Sequence, residues 1–282
     1  MSKNLKEKIS VLIRKFEYGN FQEVINESIV ILKKNDNDFL WNLLGLSFQN
    51  LHQTEKSIEC FENALNLNPK NFSALNNLGL SYKKLRNYSK AEECFLKTLD
   101  LNPKYINALV NLGNVKNETY FFDDAISYYE RALLLNQNLP LIHLNISSVY
   151  QSINKIDEAK KHLNKAILID ETFTIADQKL TTLENYDEKN PHTKLMIHKL
   201  ENKELNNNQK VYLNFGLYKV YKDLKNYEKS FYYLKTGNNL QRQMLNYDIK
   251  KHHLLSKKIK SIFEKVNYDE GKHTNDDKNN IF

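Results

Sequence analysis

Three asparagines recur at a constant spacing of 34 residues: Asn77, Asn111 and Asn145. Each directly precedes a large apolar residue and a small one, Leu-Gly in the first two cases and Ile-Ser in the third. A side-chain amide carries both a donor and an acceptor, so it can pair with a peptide backbone of any sequence. A periodic row of amides suits an extended ligand. The row is predicted to bind a peptide; the alternative is that asparagine only caps or solvates helices in an asparagine-rich chain.

Other residues that could carry chemistry lack a suitable pattern. The sequence contains no Gly-rich nucleotide loop, no His-Glu-x-x-His and no Cys-x-x-Cys. His252 and His253 are adjacent on an expected helix and point in different directions, which is poor geometry for one metal ion. His192 and His198 are six residues apart and are no better placed. We therefore expect no catalytic residue, no cofactor and no metal in these 282 residues.

Charge and composition limit the partners. The net charge of +7 permits nucleic acid or an acidic membrane as a partner, but the basic residues are interleaved with acids, so neither is expected. The N-terminal stretch MSKNLKEKISVLIRKFEYG has charges inside its apolar part, unlike a signal peptide or an anchor. Cys60 and Cys94 occupy one slot of neighbouring repeats, about 10 Å apart and beyond disulfide reach. Two cysteines without an export signal indicate the cytoplasm.

The asparagine row belongs to a longer repeat of 34 residues. The Leu-Gly pairs at Gly45, Gly79 and Gly113 share its phase, and Pro69 and Pro103 close two successive units. Trp41-x2-Leu44-Gly45-x2-Phe48 resembles the tetratricopeptide repeat pattern, Trp-x2-Leu-Gly-x2-Tyr followed by Ala, an aromatic residue, Ala and Pro. The units are 38–71, 72–105, 106–139 and 140–173, with a weaker first repeat at 5–37, so that repeats span 5–173.

The resemblance implies an all-α superhelix in which each repeat is a pair of antiparallel helices, A and B. The small residues let the two helices approach, and the aromatic residues are expected to fill the space between neighbouring pairs. Pro69 and Pro103 are expected to start the next helix. In this family helix A lines the concave groove, so the resemblance implies that the asparagine row lies there, as in the asparagine ladder of O-linked N-acetylglucosamine transferase. A chaperone-tail clamp is excluded, because the helix-A segments contain no Lys or Arg: 38–46, 72–80, 106–114 and 140–148.

Beyond residue 173 the phase is lost, and 174–266 is predicted to be a degenerate helical extension. Its helices are expected at 174–185, 192–203, 207–224, 226–241 and 247–266. The last of these is amphipathic, with Ile259 and Phe263 on its apolar side and lysines opposite.

A second resemblance covers residues 213–248. Phe215–Lys219, Asp223–Tyr227 and Gly237-Asn238 resemble the segment that connects tetratricopeptide repeats to a sulfotransferase domain in bacterial proteins. Residues 267–282 then look like a linker and the first step of a strand, Ile281-Phe282, that opens a missing domain. The resemblance implies a non-catalytic scaffold that recruits a protein or peptide substrate. The alternatives are a fragment of a 3′-phosphoadenosine 5′-phosphosulfate-dependent sulfotransferase, or a free-standing adaptor.

Overall fold

The computed structural model describes residues 3–245, 254 and 256–261, with side chains from residue 5 onward. Within these residues the backbone is helical and forms no strand, and consecutive helices pack in pairs, which confirms the predicted all-α superhelix. Fourteen helices lie between residues 3 and 244 of this described part: α1 (Lys3–Glu17), α2 (Phe21–Leu32), α3 (Asp38–Asn50), α4 (Thr54–Leu67), α5 (Phe72–Lys84), α6 (Tyr88–Leu101), α7 (Ile106–Glu118), α8 (Phe122–Leu135), α9 (Pro140–Ser152), α10 (Ile156–Ile169), α11 (Thr174–Leu183), α12 (Pro191–Asn202), α13 (Asn207–Asp223) and α14 (Tyr227–Met244). None of the helices in the described part has the length and apolar character of a membrane span.

Asparagine caps start several of these helices. The side chains of Asn37, Asn71 and Asn87 each accept a hydrogen bond from the backbone N–H three residues later. This bond satisfies one of the donors that an α-helix leaves free in its first turn. Part of the asparagine content is therefore explained by capping, but the row at Asn77 and Asn111 lies inside helices.

Close contact between the two helices of a repeat depends on glycine. A Cβ atom added to Gly79 would lie 2.6 Å from Cε1 of Phe95. A Cβ atom added to Gly113 would lie 2.5 Å from Cε1 of Tyr129. The aromatic ring thus lies against the glycine of its own repeat rather than only between neighbouring pairs. Because no other side chain leaves this space open, the Leu-Gly slot fixes how closely helices A and B approach.

The same turn connects the odd helix to the even helix in successive repeats. His52, Arg86, Tyr120 and Asn154, each 34 residues from the next, adopt a left-handed backbone with φ of 58–65°. A left-handed residue after a helix lets the chain turn sharply, and glycine is its usual occupant. Lys225, with φ of 56°, makes the same turn between α13 and α14. The last helix pair therefore keeps the connection of the repeats although its sequence has diverged.

The prediction that Pro69 and Pro103 start the next helix was wrong. Pro69 lies in a turn after α4 ends at Leu67 and three residues before α5 begins, and Pro103 lies similarly between α6 and α7. The physical role is termination, because proline cannot continue the preceding helix. Asn71, not Pro69, caps the helix that follows. Pro140 and Pro191 do open helices.

The extension continues the stack with one insertion. Helix α11 packs against α10, α13 packs against α11, and α14 pairs with α13, whereas α12 is an additional helix beside α13. The helices expected at 174–185, 192–203, 207–224 and 226–241 are present with ends shifted by up to three residues. The expected helix 247–266 lies largely outside the described residues, although 256–261 is helical. Residues 267–282, with Ile281 and Phe282, lie wholly outside them.

Candidate functional site

The odd-numbered helices form one continuous face of the stack, named the inner face below. Helices α1, α3, α5, α7 and α9 pack on one another in succession, whereas the even helices of the described residues do not pack on one another to the same extent. The resemblance to tetratricopeptide repeats predicts that this face is the concave side of the superhelix. The predicted row Asn77, Asn111 and Asn145 lies on three of these helices, α5, α7 and α9.

Each asparagine of the row is bonded to the preceding repeat. Nδ2 of Asn77 donates to Oδ1 of Asn42 at 3.0 Å, and Nδ2 of Asn111 donates to Oδ1 of Asn76 at 3.0 Å. Asn42 and Asn76 are 34 residues apart and largely buried, whereas the two donors are half-buried. The amides therefore connect α3 to α5 and α5 to α7 through equivalent bonds.

The third connection is displaced by one helical turn. The slot of Asn42 and Asn76 is occupied by Val110 in α7, which offers no acceptor in its side chain. Nδ2 of Asn145 donates instead to Oδ1 of Asn114 at 3.2 Å, and the hydroxyl of Tyr129 donates to the same oxygen at 2.6 Å. The row of amides is continuous from α3 to α9 because this replacement keeps an acceptor within reach.

Part of each amide pair stays available. Within the described residues, Oδ1 of Asn77, Asn111 and Asn145 accepts no hydrogen bond, and Nδ2 of Asn42 and Asn76 donates none. None of these atoms is both buried and unpaired, so each remains in contact with solvent. The pairs thus hold the side chains in place and leave acceptors and donors for a ligand.

Only the donor half of this arrangement was predicted from the sequence. The inter-repeat partners Asn42, Asn76 and Asn114 were missed, although the 34-residue spacing of the first two was visible. The hydrogen bonds themselves could not be predicted from the 34-residue spacing, because the first two join residues that are 35 positions apart, such as Asn42 and Asn77, and the third joins residues that are 31 apart.

One of the two lysines at the end of α5 is paired with an acid: Nζ of Lys83 lies 2.8 Å from Oε1 of Glu118 on α7. Nζ of Lys84 lies 3.2 Å from Nδ1 of His52, a contact that leaves the charge of the lysine in place. Gln49 donates to the hydroxyl of Ser81 across α3 and α5. The row itself consists of uncharged amides.

A buried polar cluster in the extension has residues of catalytic type. Nζ of Lys199 contacts both carboxylate oxygens of Asp177 at 2.8 Å, and Nε2 of His192 lies 3.0 Å from Oδ1 of the same carboxylate. The hydroxyl of Tyr186 lies 2.6 Å from Nδ1 of His192. Asp177 and Lys199 are fully buried. The cluster joins α11, α12 and their connecting loop.

Two further histidines form a pair in the repeat at residues 140–173. Nδ1 of His143 lies 3.0 Å from Nδ1 of His162, and burial lowers the pKa of both, that of His162 to about 4. Nearby Lys165 lowers both pKa values further. Among the described residues, no group of three or more His, Cys, Asp or Glu side chains could hold a metal ion. Cys60 and Cys94 are free and buried, as expected for packing residues.

Family models match three parts of the chain. Two models described as tetratricopeptide repeat match residues 72–105 and 141–173, and one described as TPR repeat matches residues 45–85. These matches fall on α3–α6 and α9–α10, which are helix pairs of the stack. No curated protein matches the chain significantly.

Solved structures share the fold at low sequence identity. The C-terminal part of a TPR repeat-containing protein from Cytophaga hutchinsonii is 14% identical with a TM-score of 0.60, over 82% of this chain and 94% of that chain. PilF of Pseudomonas aeruginosa is 15% identical with a TM-score of 0.57, over 78% and 97%. A double mutant of MamA RS-1 is 17% identical with a TM-score of 0.54, over 61% and 97%. At these identities the likeness establishes the superhelix alone.

Proposed function

We propose that this tetratricopeptide repeat protein is a non-catalytic scaffold that binds an extended peptide segment of a partner protein on its inner face. The row Asn77, Asn111 and Asn145 would be the centre of the site. The observation that carries the proposal is the set of amide pairs from α3 to α9, each with polar atoms that keep contact with solvent.

The pairs supply what recognition of a main chain needs. An extended peptide presents N–H and C=O groups in turn, and the free Oδ1 and Nδ2 atoms can accept from the first and donate to the second. The inter-repeat bonds fix the amides before the ligand arrives, so less side-chain entropy is lost on binding. Because the row is uncharged, binding should depend only weakly on salt.

The structural alternative is that the amides only hold neighbouring repeats together. It predicts that removing them weakens folding without a separate effect on binding. The two functions can be measured apart, since a destabilised repeat protein can still be studied at a temperature where it is folded.

The experiment starts from a peptide selected against the protein from a random displayed library. Its affinity is measured for the wild type and for the triple variant Asn77→Ala, Asn111→Ala, Asn145→Ala, at a temperature where circular dichroism shows both folded. Loss of hydrogen bonds at three repeats should weaken binding by about tenfold or more. The matched control replaces three exposed asparagines outside the row: Asn35, Asn66 and Asn239. Equal affinity of the triple variant and the control would reject the site.

A second candidate concerns a longer protein. The resemblance of residues 213–248 supports the proposal that the chain recruits substrates for a sulfotransferase, and the cysteine usage supports the cytoplasm as its compartment. In the structure, several of these residues serve packing: Phe215 lies against Gly237, and Asp223 accepts from Lys219 and from the backbone of Tyr186. Calorimetric titration of this chain with 3′-phosphoadenosine 5′-phosphosulfate should detect no binding. A reading frame that continues into an apolar strand and Pro-Arg-Ser-Gly-Thr would support the candidate, and its absence would remove it.

A further inference from the structure

The even-helix side of the stack contains a groove between α8 and α10. It has a volume of about 580 Å³, and its walls include Leu133 and Leu134 of α8 and Leu168 and Ile169 of α10. Leu134 is 81% exposed and Leu168 is 84% exposed, the two largest values for large aliphatic side chains among the described residues. Two strongly exposed leucines on the walls of one groove are typical of an interaction surface.

The corresponding groove between α4 and α6 shows that the repeat does not require these leucines. That groove is lined by Asn66 and Asp100, which occupy the positions of Leu134 and Leu168 two repeats earlier. The helix pairs therefore form with polar residues at both positions. Because packing within the chain does not account for the leucines, we look for their role in contact with another molecule.

The two walls of the groove carry opposite charges. Glu130 of α8 and Lys165 of α10 both line it, and within the described part of the chain neither forms an ion pair. Two repeats earlier, the lysine at the position of Lys165 is Lys97, and its Nζ lies 2.7 Å from Oε1 of Glu93. In α10 the position of Glu93 is taken by Lys161, so Lys165 has no acid one turn before it. An acid and a base therefore remain on opposite walls, each available to a partner.

The pattern of the two walls is complementary to itself under a two-fold rotation. Helices α8 and α10 occupy the same position in successive repeats, so Leu134 and Leu168 are equivalent residues 34 positions apart. Glu130 and Lys165 each lie about one turn before these leucines. A two-fold axis along the groove places α8 of one copy over α10 of the other. Each leucine then meets its counterpart, and each Glu130 meets a Lys165.

We propose that the groove between α8 and α10 is the interface of a symmetric dimer of this chain. Leu134 of one copy packs with Leu168 of the other, Glu130 pairs with Lys165, and the symmetry makes each contact occur twice. Opposite charges at matching heights favour a second copy over a partner of one charge sign. Because the contact surface is small, the dimer is reversible and of micromolar affinity. The interface lies on even helices and does not depend on the asparagine row.

The first test measures the mass of the full chain by analytical ultracentrifugation between about 1 and 300 µM, because a reversible dimer forms by mass action. The mean mass should rise with concentration from 33.3 kDa towards twice that value. Leu134→Ser with Leu168→Ser should weaken dimerisation by about tenfold or more. The matched control is Leu67→Ser with Leu101→Ser, which removes two exposed leucines at the ends of α4 and α6 and should leave dimerisation unchanged.

Charge reversal tests the symmetry of the contact. Glu130→Lys alone sets lysine against Lys165, and Lys165→Glu alone sets glutamate against Glu130. Each single variant should therefore dimerise at least about tenfold more weakly than the wild type. An equimolar mixture of the two variants should form a heterodimer, because both of its contacts join opposite charges again.

Three results would each overturn the proposal. They are a wild type that stays monomeric at about 300 µM, unchanged dimerisation of the Leu134 and Leu168 variant, and a mixture of the charge variants that stays monomeric. Circular dichroism should show all variants folded, since the four substituted side chains are exposed. A monomer in which the methyl groups of Leu134 show NMR contacts to residues 246–282 would also overturn it, and would identify the chain's own C-terminal part as the occupant of the groove.

Discussion

Nζ of Lys199 lies 2.8 Å from both carboxylate oxygens of Asp177, and both residues are fully buried. A buried ion pair is worth little against an apolar pair of similar volume, but removing one partner leaves an uncompensated charge. Lys199→Met should therefore lower the free energy of unfolding by about 3–5 kcal/mol, measured by urea denaturation. Lys97→Met, which breaks the exposed pair with Glu93, should leave the free energy of unfolding nearly unchanged.

The double variant Asp177→Leu with Lys199→Met provides the internal check on this account. It should be more stable than Lys199→Met alone, because no charge is left buried. If the double variant were less stable than the single one, the loss would come from packing rather than from the unpaired carboxylate.

The contact between Gly79 and Phe95 gives a second prediction. Gly79→Ala places a Cβ 2.6 Å from the ring, so Phe95 must move. Overpacking of this kind should lower the free energy of unfolding by about 1–3 kcal/mol, although alanine favours the helix by roughly 1 kcal/mol. Gly216→Ala is the control, because its Cβ would meet the flexible side chain of Met196 at 3.2 Å. Adding Phe95→Leu should recover part of the loss, and an equal cost at both glycines would contradict the packing argument.

The His143–His162 pair predicts a dependence of stability on pH. Burial is the main cause that lowers the pKa of both, to about 4 for His162, so the folded state favours the neutral form. As pH falls below about 6.5 the unfolded chain binds protons first, and stability is lost progressively towards pH 4. His162→Leu should reduce the loss between about pH 7 and 5 by on the order of 1 kcal/mol. The exposed His198→Leu should not change it. Identical pH profiles for wild type and His162→Leu would reject the prediction.

The hydrogen bond between Asn111 and Asn76 should contribute to stability. A double-mutant cycle with Asn76→Ala and Asn111→Ala should give a coupling energy of about 0.5–1.5 kcal/mol. The exposed pair of Gln22 and Asn26, whose amides are 3.1 Å apart, should give a coupling near zero. A coupling near zero for both pairs would mean that the inter-repeat bond is replaced by water at no cost.

Period and residue type made the fold predictable from the sequence. The Leu-Gly positions and the small residues of helix B make contacts between the two helices of one repeat. Because these residues recur at a fixed spacing, the packing of the two helices could be predicted from the sequence. The turn at Arg86 was not foreseen, because glycine is the usual residue in a left-handed conformation. The role of Pro69 was misread, because proline suits both the end of one helix and the start of the next. The Asp177–Lys199 pair lies where the phase is lost, and a pair 22 residues apart has no periodic signal.

If the asparagine row on the inner face binds an extended peptide, its side-chain amides must respond when that peptide is added. The most direct measurement is the NMR spectrum of the asparagine side-chain amides during titration with a library-selected peptide. Two groups of resonances should behave differently. Those of the row and its partners should shift together and saturate: Asn42, Asn76, Asn77, Asn111 and Asn145. Those of the control residues Asn35, Asn66 and Asn239 should stay in place. Shifts confined to residues outside the row, at saturating peptide, would contradict peptide binding by the row.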